Sequence, residues 1–186
     1  MKQKTTLQQS KLTTPLTRGS GVGGEATPLS TRKGAGGEAL DIDKRFMRLA
    51  LDEAEEAARL GEIPVGAVVV ARGQVIARAH NLTERLTDVT AHAEMQAITA
   101  AATALGGKYL TECTLYVTLE PCIMCAGAIG WGQMARLVYG AADEKRGYSR
   151  FAPQALHPRT EVCAGVLADE STRLVQQFFK KKRGGT

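Results

Sequence analysis

The chain has 186 residues, 44% of them hydrophobic and 23% charged, the composition of one ordinary globular domain with enough length for a sizeable core. No stretch approaches the roughly 18 apolar residues of a membrane span. The polar start does not read as a secretory signal, so the expected setting is the reducing cytoplasm with no membrane partner. The net charge of +5 is uneven: residues 1–37 carry +5, the closing run Lys180–Arg183 carries +4, and residues 38–179 carry −4. Two basic ends on a mildly acidic body suit docking to a polyanion, and they suit a solvated tail equally well.

Taken in chain order, residues 1–40 are rich in Thr, Ser, Gly and Lys and poor in large apolar side chains. Such a segment cannot bury enough surface to offset its ordering entropy, so a disordered basic extension is expected there. It lacks the Arg-rich amphipathic period of a transit peptide. The folded domain is expected over 41–186. From Asp43 to Leu60 apolar residues recur at helical spacing (Met47, Leu51, Ala54, Ala58), and Gly61 and Pro64 end the helix. "VGAVVVARGQVIARAHN" then predicts a hairpin turning at Arg72–Gly73. An Ala-rich helix follows from Ala91 to Leu105, closed by Gly106–Gly107, and a strand over 113–120 runs into "PCIMC". Residues 122–131 read as a short helix, 136–141 as a strand, and "EVCAGV" as the last strand. A final helix is expected from an N-cap at Asp169, burying Leu174, Val175 and Phe178. A hairpin first and strand–helix crossovers later predict a three-layer α/β/α sandwich on a mixed five-stranded sheet.

Cys122 and Cys125 lie three positions apart after Pro121, whereas Cys113 and Cys163 stand alone in strand-like runs and read as small core side chains. A lone pair fits a redox motif, half of a metal site, or core filler. Thirty residues upstream, "TAHAEM" brings His92 and Glu94 to the start of a helix. His92, Cys122 and Cys125 together make three borderline-to-soft ligands, the number a catalytic zinc ion takes while leaving a fourth position for water. Helix N-termini at both places favour thiolates. Glu94 would then carry protons for hydrolytic loss of an amine. Its alternatives are a fourth ligand or a capping acid, though residues two apart diverge on a helix.

"HAE" at 92–94 followed by "PCIMC" at 121–125 resembles the zinc-dependent cytidine/deoxycytidylate deaminase superfamily. "EIPVGAVVV", "TAHAEM", "TLYVTLEPCIMCAGAI" and "GVLADE" are similar to the tRNA-specific adenosine deaminases within it. The likeness spans roughly residues 43–183. It implies a cytidine deaminase-like fold and one Zn²⁺ per subunit on His92, Cys122 and Cys125, with Glu94 as the catalytic acid and base. It also implies a flipped adenosine in the anticodon wobble position of tRNA, converted to inosine by a zinc-activated hydroxide. Asn81, eleven residues before His92, falls where the family keeps a base-contacting Asn; otherwise it caps its own turn. The Ala93 N–H would face the attacked carbon's new hydroxyl. The family is homodimeric, which makes Trp131 and Met134 interface candidates or ordinary core residues. Its basic C-terminal helix corresponds to "FFKKKR".

The likeness frays at "IGWGQMAR" and at "KRGYSRFAPQALHP", where Tyr148, Arg150 and Phe151 either clamp RNA or fill a loop. Two other functions therefore stand beside tRNA deamination. One is a deaminase of a free base or nucleoside (guanine, cytosine or cytidine), and the other is a zinc-binding module without catalysis.

Overall fold

Arg72 and Gly73 both take positive φ, 52° and 74°, the backbone of a two-residue I′ turn whose twist matches the strands it joins. In the computed structural model, which describes residues 36–184, this turn links β1 (Gly66–Ala71) to β2 (Gln74–His80) as an antiparallel hairpin. β3 (Cys113–Leu119) pairs antiparallel with the other edge of β1, β4 (Arg136–Ala141) pairs parallel with β3, and β5 (Glu161–Ala164) pairs parallel with β4. The order β2-β1-β3-β4-β5 is the expected mixed five-stranded sheet.

Strand period 2 divides the core into two layers. Val68, Val70, Tyr116 and Val138 face α1 (Gly36–Arg59) and α6 (Ala168–Gly184), packing on Phe46, Met47 and Ala50. Val69, Leu115, Val117 and Leu137 face the other way, against Ala97 and Ala101 of α3 (Ala93–Leu105) and Ile129 of α4 (Ile123–Trp131). Two one-turn helices missed by periodicity, α2 (Thr83–Leu86) and α5 (Tyr148–Phe151), lie in the connections. No helix among the described residues is long and apolar enough to cross a membrane.

Several expectations shift in detail. α1 begins at Gly36, not Asp43, so residues 36–40 of the expected disordered extension are helical; its remainder lies outside the described residues. The stripe α1 buries is Met47, Ala50, Ala54 and Ala57, whereas Leu51 and Ala58 are half-buried. The cause is Gly66: a Cβ there would collide with the backbone of Ala50 and Ala54. The helix therefore rests its alanine face on a side-chain-free point of β1. α6 starts at Ala168, which puts Asp169 inside the first turn, where it favours the dipole in place of capping. Leu174, Val175 and Phe178 are half-buried. Met134, 1% exposed, is core, and Trp131, 85% exposed, is not.

One buried polar cluster ties the helical layer to the sheet. Asp43, 3% exposed, accepts both guanidinium nitrogens of Arg136 at 2.6 and 2.8 Å and the Tyr116 hydroxyl at 2.9 Å. The Tyr116 phenol is pushed up by burial and by Asp43, so it remains a donor. Replacing Gly66 with Val is expected to destabilise the protein by about 3 kcal/mol, because helix and strand backbones would have to separate. The midpoint of urea unfolding checks it, and an unchanged midpoint would contradict the close contact.

Candidate active site

His92 is the N-cap of α3, with extended backbone (φ −68°, ψ 153°) and no side-chain capping bond, so its ring is free to turn into the site. Cys122 is the N-cap of α4 in the same manner (φ −73°, ψ 174°), and Cys125 lies in that helix's first turn, fully buried. The two helix starts bring His92 Nδ1 to 3.7 Å from Cys122 Sγ and 3.5 Å from Cys125 Sγ. All three ligand atoms lie within 4.8 Å of one another.

These separations test the metal. Zinc–sulfur bonds of about 2.3 Å and zinc–nitrogen bonds of about 2.0–2.1 Å at a tetrahedral angle put S and N about 3.5–3.6 Å apart. The donor set thus fits one zinc ion. The thiols are already differentiated. The Cys125 thiol, then His92, hydrogen-bonds the Cys122 sulfur and brings its pKa down to about 4 against the opposing effect of burial. The Cys125 thiol is pushed up, first by its bond to Cys122 and then by burial. His92 is raised chiefly by its Cys122 partner.

Glu94 follows His92 by two residues and is 4% exposed. Burial raises its pKa, and its own N–H and His92 oppose the rise. A carboxyl held above its ordinary range beside a metal site is better matched to exchanging a proton than a solvated one. Glu94 opens onto a cavity of about 150 Å³ that Asn81, His92, Cys122 and Arg146 also line. The structure thus brings together His92, Glu94, Cys122, Cys125 and Asn81. The side chain of Ala93 points into the core, and its N–H is one of the first-turn amides with no acceptor within the helix.

Sequence reasoning missed two buried carboxylates that build the walls. Glu62, 0% exposed, accepts from Asn81 Nδ2 and from the Arg85 amide at 3.0 and 2.8 Å. Glu120, 5% exposed, accepts from the amides of Asp143 and Ser149 at 3.0 and 3.1 Å. A Cβ on Gly147 would collide with the Glu120 carboxylate, so a side chain there would have to push that carboxylate off its amide donors. The same loop is pinned by the Tyr148 amide on the Pro121 carbonyl at 2.9 Å. Tyr148 itself is buried, which removes it as an RNA clamp; Phe151 is exposed, with the Arg150 guanidinium 5.4 Å from its ring centre. Neither acid belongs to a periodic pattern, and only the bare "EIP" and "EPC" spellings could have drawn attention to them.

Three zinc donors, a buried acid and a pocket of one base's size define a metal-dependent hydrolase that removes an amine. The chain belongs to the cytidine and deoxycytidylate deaminase zinc-binding family, which it matches over residues 40–141. It is 47% identical over 143 residues to a tRNA-specific adenosine deaminase of Agrobacterium fabrum, covering 74% of this chain and 94% of the relative. A tRNA-specific adenosine deaminase of Bacillus subtilis is 43% identical over 146 residues, covering 76% and 91%. A solved structure from a study of A-to-I editing by tRNA:A34 deaminases superposes with a TM-score of 0.66 at 46% identity, over 70% of this chain and 98% of that one. Replacing Cys122 with Ser is expected to lower bound zinc from about one per chain toward none, since the three-ligand set would lose a thiolate. Elemental analysis of the purified protein measures it, and undiminished zinc would remove Cys122 from the ligand set.

Proposed function

We propose that this chain hydrolyses adenosine to inosine in tRNA, at the anticodon wobble position. The observation that carries the reading is the buried Glu94 carboxyl beside His92 and Cys122 in a cavity of about 150 Å³, room for one extruded base. The tRNA specificity draws on likeness over nearly the whole length of tRNA-specific deaminases and on exposed Lys145 and Arg146 beside Cys122, suited to phosphates. The activity belongs to the domain that begins with α1 at Gly36, in the cytoplasm, and the basic segment of the sequence precedes that domain.

His92, Cys122 and Cys125 hold the zinc, which when bound supplies a Lewis acid that makes a water nucleophilic near neutral pH. Glu94 takes a proton from that water and delivers it to N1 of the base as the C6–O bond forms. It then takes the proton of the new C6–OH and passes it to the exocyclic N6, so that ammonia leaves as the C6–N6 bond breaks and the C6=O of inosine forms. Asn81 holds the base edge, and the Ala93 amide donates to the new oxygen on C6. Burial of Glu94 keeps bulk water from competing for these protons.

A second copy of the chain completes the proposed assembly. Between α3 and α4 lies an open depression of about 850 Å³, bordered by Ile98, Ala102, Tyr109, Ala128 and the exposed Trp131. Large apolar side chains gathered at one place mark an interface, and the homodimer uses this face.

Incubation with a tRNA bearing A at the wobble position is expected to yield inosine, while guanine, cytosine and cytidine yield no ammonia in parallel. Ammonia from a free base without inosine in tRNA would overturn the substrate. Glu94→Ala is expected to lower turnover by about 10³-fold with zinc retained, and undiminished turnover would exclude Glu94 as proton carrier. Trp131→Glu is expected to shift the protein from dimer to monomer in light scattering; a persistent dimer would exclude this face.

A further inference from the structure

Glu62 sits immediately after the left-handed Gly61 that ends α1 (φ 82°), and its own amide bonds back to the Ala57 carbonyl at 2.9 Å. That reversal turns the carboxylate inward, to 0% exposure, with no cationic side chain bonded to it. Four donors meet it instead. Asn81 Nδ2 lies 3.0 Å and Thr83 Oγ1 3.3 Å from Oε2, the Glu84 amide 3.2 Å from Oε2, and the Arg85 amide 2.8 Å from Oε1. A carboxylate with four donors around it is an acceptor only. It therefore cannot tolerate the Asn81 amide turned the other way, with its carbonyl oxygen inward.

Thr83 closes the arrangement. Its hydroxyl proton goes to Glu62, which leaves Oγ1 to accept from Asn81 Nδ2 at 3.0 Å. Both hydrogens of the Asn81 amide are thereby engaged. Asn81 Oδ1 accepts from no described residue, yet no buried side-chain oxygen or nitrogen lacks a partner. Oδ1 is therefore the part of this 5%-exposed residue that meets the open side of the pocket. An unconstrained Asn would present either end of its amide to a base.

We propose that Glu62 is a positioning residue for the substrate: its buried carboxylate captures the Asn81 nitrogen and so fixes the orientation in which that amide meets the base. This rests on the reading that Asn81 contacts the base. A carboxylate that served only to cap α2 would affect stability alone. One that acts through Asn81 must lose its effect on turnover once the Asn81 amide is gone.

A double-mutant cycle separates the two, using the zinc-loaded full chain and an anticodon stem-loop with A at the wobble position. Glu62→Gln, which conserves shape but lets the amide turn, and Asn81→Ala are each expected to lower kcat/KM about tenfold or more, the scale of a hydrogen bond to a charged group. Zinc content should stay at about one per chain in both. The double variant is expected to be no worse than the poorer single within about threefold, the signature of two residues acting as a unit. Losses that multiply, or a Glu62→Gln enzyme within about twofold of the parent, would overturn the proposal. Should Glu62→Gln lose its thermal transition, Glu62→Asp withdraws the carboxylate from Asn81 and is read in the same cycle. If the parent leaves the stem-loop untouched but releases ammonia from a free base, the tRNA reading fails. The same cycle run on that base then still decides the role of Glu62.

Discussion

The separation of 3.5 Å between His92 Nδ1 and Cys125 Sγ joins residues 33 positions apart, and much of the fold serves to keep it. Three ligands can share a zinc ion only if their atoms stay within a few tenths of an ångström of a tetrahedron. The chain meets that tolerance by placing each ligand set at the N-terminus of a helix whose body lies on the sheet. α3 rests on β1, β2 and β3, and α4 is the crossover between parallel strands β3 and β4. α3 buries mainly alanines, Ala93, Ala97 and Ala101, and α4 buries Ala126 and Ile129 beside Cys125, so both helices pack closely and the helix starts determine where the ligands fall. On the far side, α1 seated on Gly66 and the Asp43–Arg136–Tyr116 cluster hold the sheet that carries them.

Three buried carboxylates surround the pocket, and their partners give each a different task. Glu94 has burial raising its pKa, opposed by its own amide and by His92, which suits the proton-carrying role proposed for it. Glu62 and Glu120 are enclosed by amide, hydroxyl and side-chain nitrogen donors, which suits groups that hold loops in place. A carboxylate with several donors is a stiff hub, because losing it strands every donor at once. Each wall of the pocket thus hangs on one acid: residues 81–85 on Glu62 and residues 143–149 on Glu120.

The sheet and its layers were legible because the central strands are continuous apolar runs and the helices carry clear periods. The zinc donors were legible because metal chemistry admits few residue types and the spacing from "HAE" to "PCIMC" is distinctive. Less was readable where the deciding contact lies far away in sequence. The face α1 buries depends on Gly66, a residue outside the helix, so the period alone selected Leu51 and Ala58. Tyr148 was open to two readings, RNA clamp or loop filler, and its amide and ring are drawn inward by the Pro121 carbonyl and the core. Glu62 carried only the bare "EIP" spelling, which looks the same whether the acid is buried or solvated.

Chemistry and selectivity consequently sit on parts of different stiffness. His92, Glu94, Cys122 and Cys125 stand on helix ends backed by the sheet, where a substitution in a loop barely moves them. Asn81, Arg146 and Phe151 stand on connections whose positions are set by hydrogen bonds to single side chains. The stretch 145–158, where this chain departs from the pattern it otherwise shares, is the Glu120-held wall and its continuation. A sequence change there alters what the pocket mouth offers to a nucleotide without disturbing the metal, provided the residues that meet Glu120 keep their amides in place. Gly147 is the tightest of these, because a side chain there would displace the Glu120 carboxylate from the amides it holds. Variation in that loop is therefore free at its exposed tip, Glu144 to Arg146, and closed at its anchor.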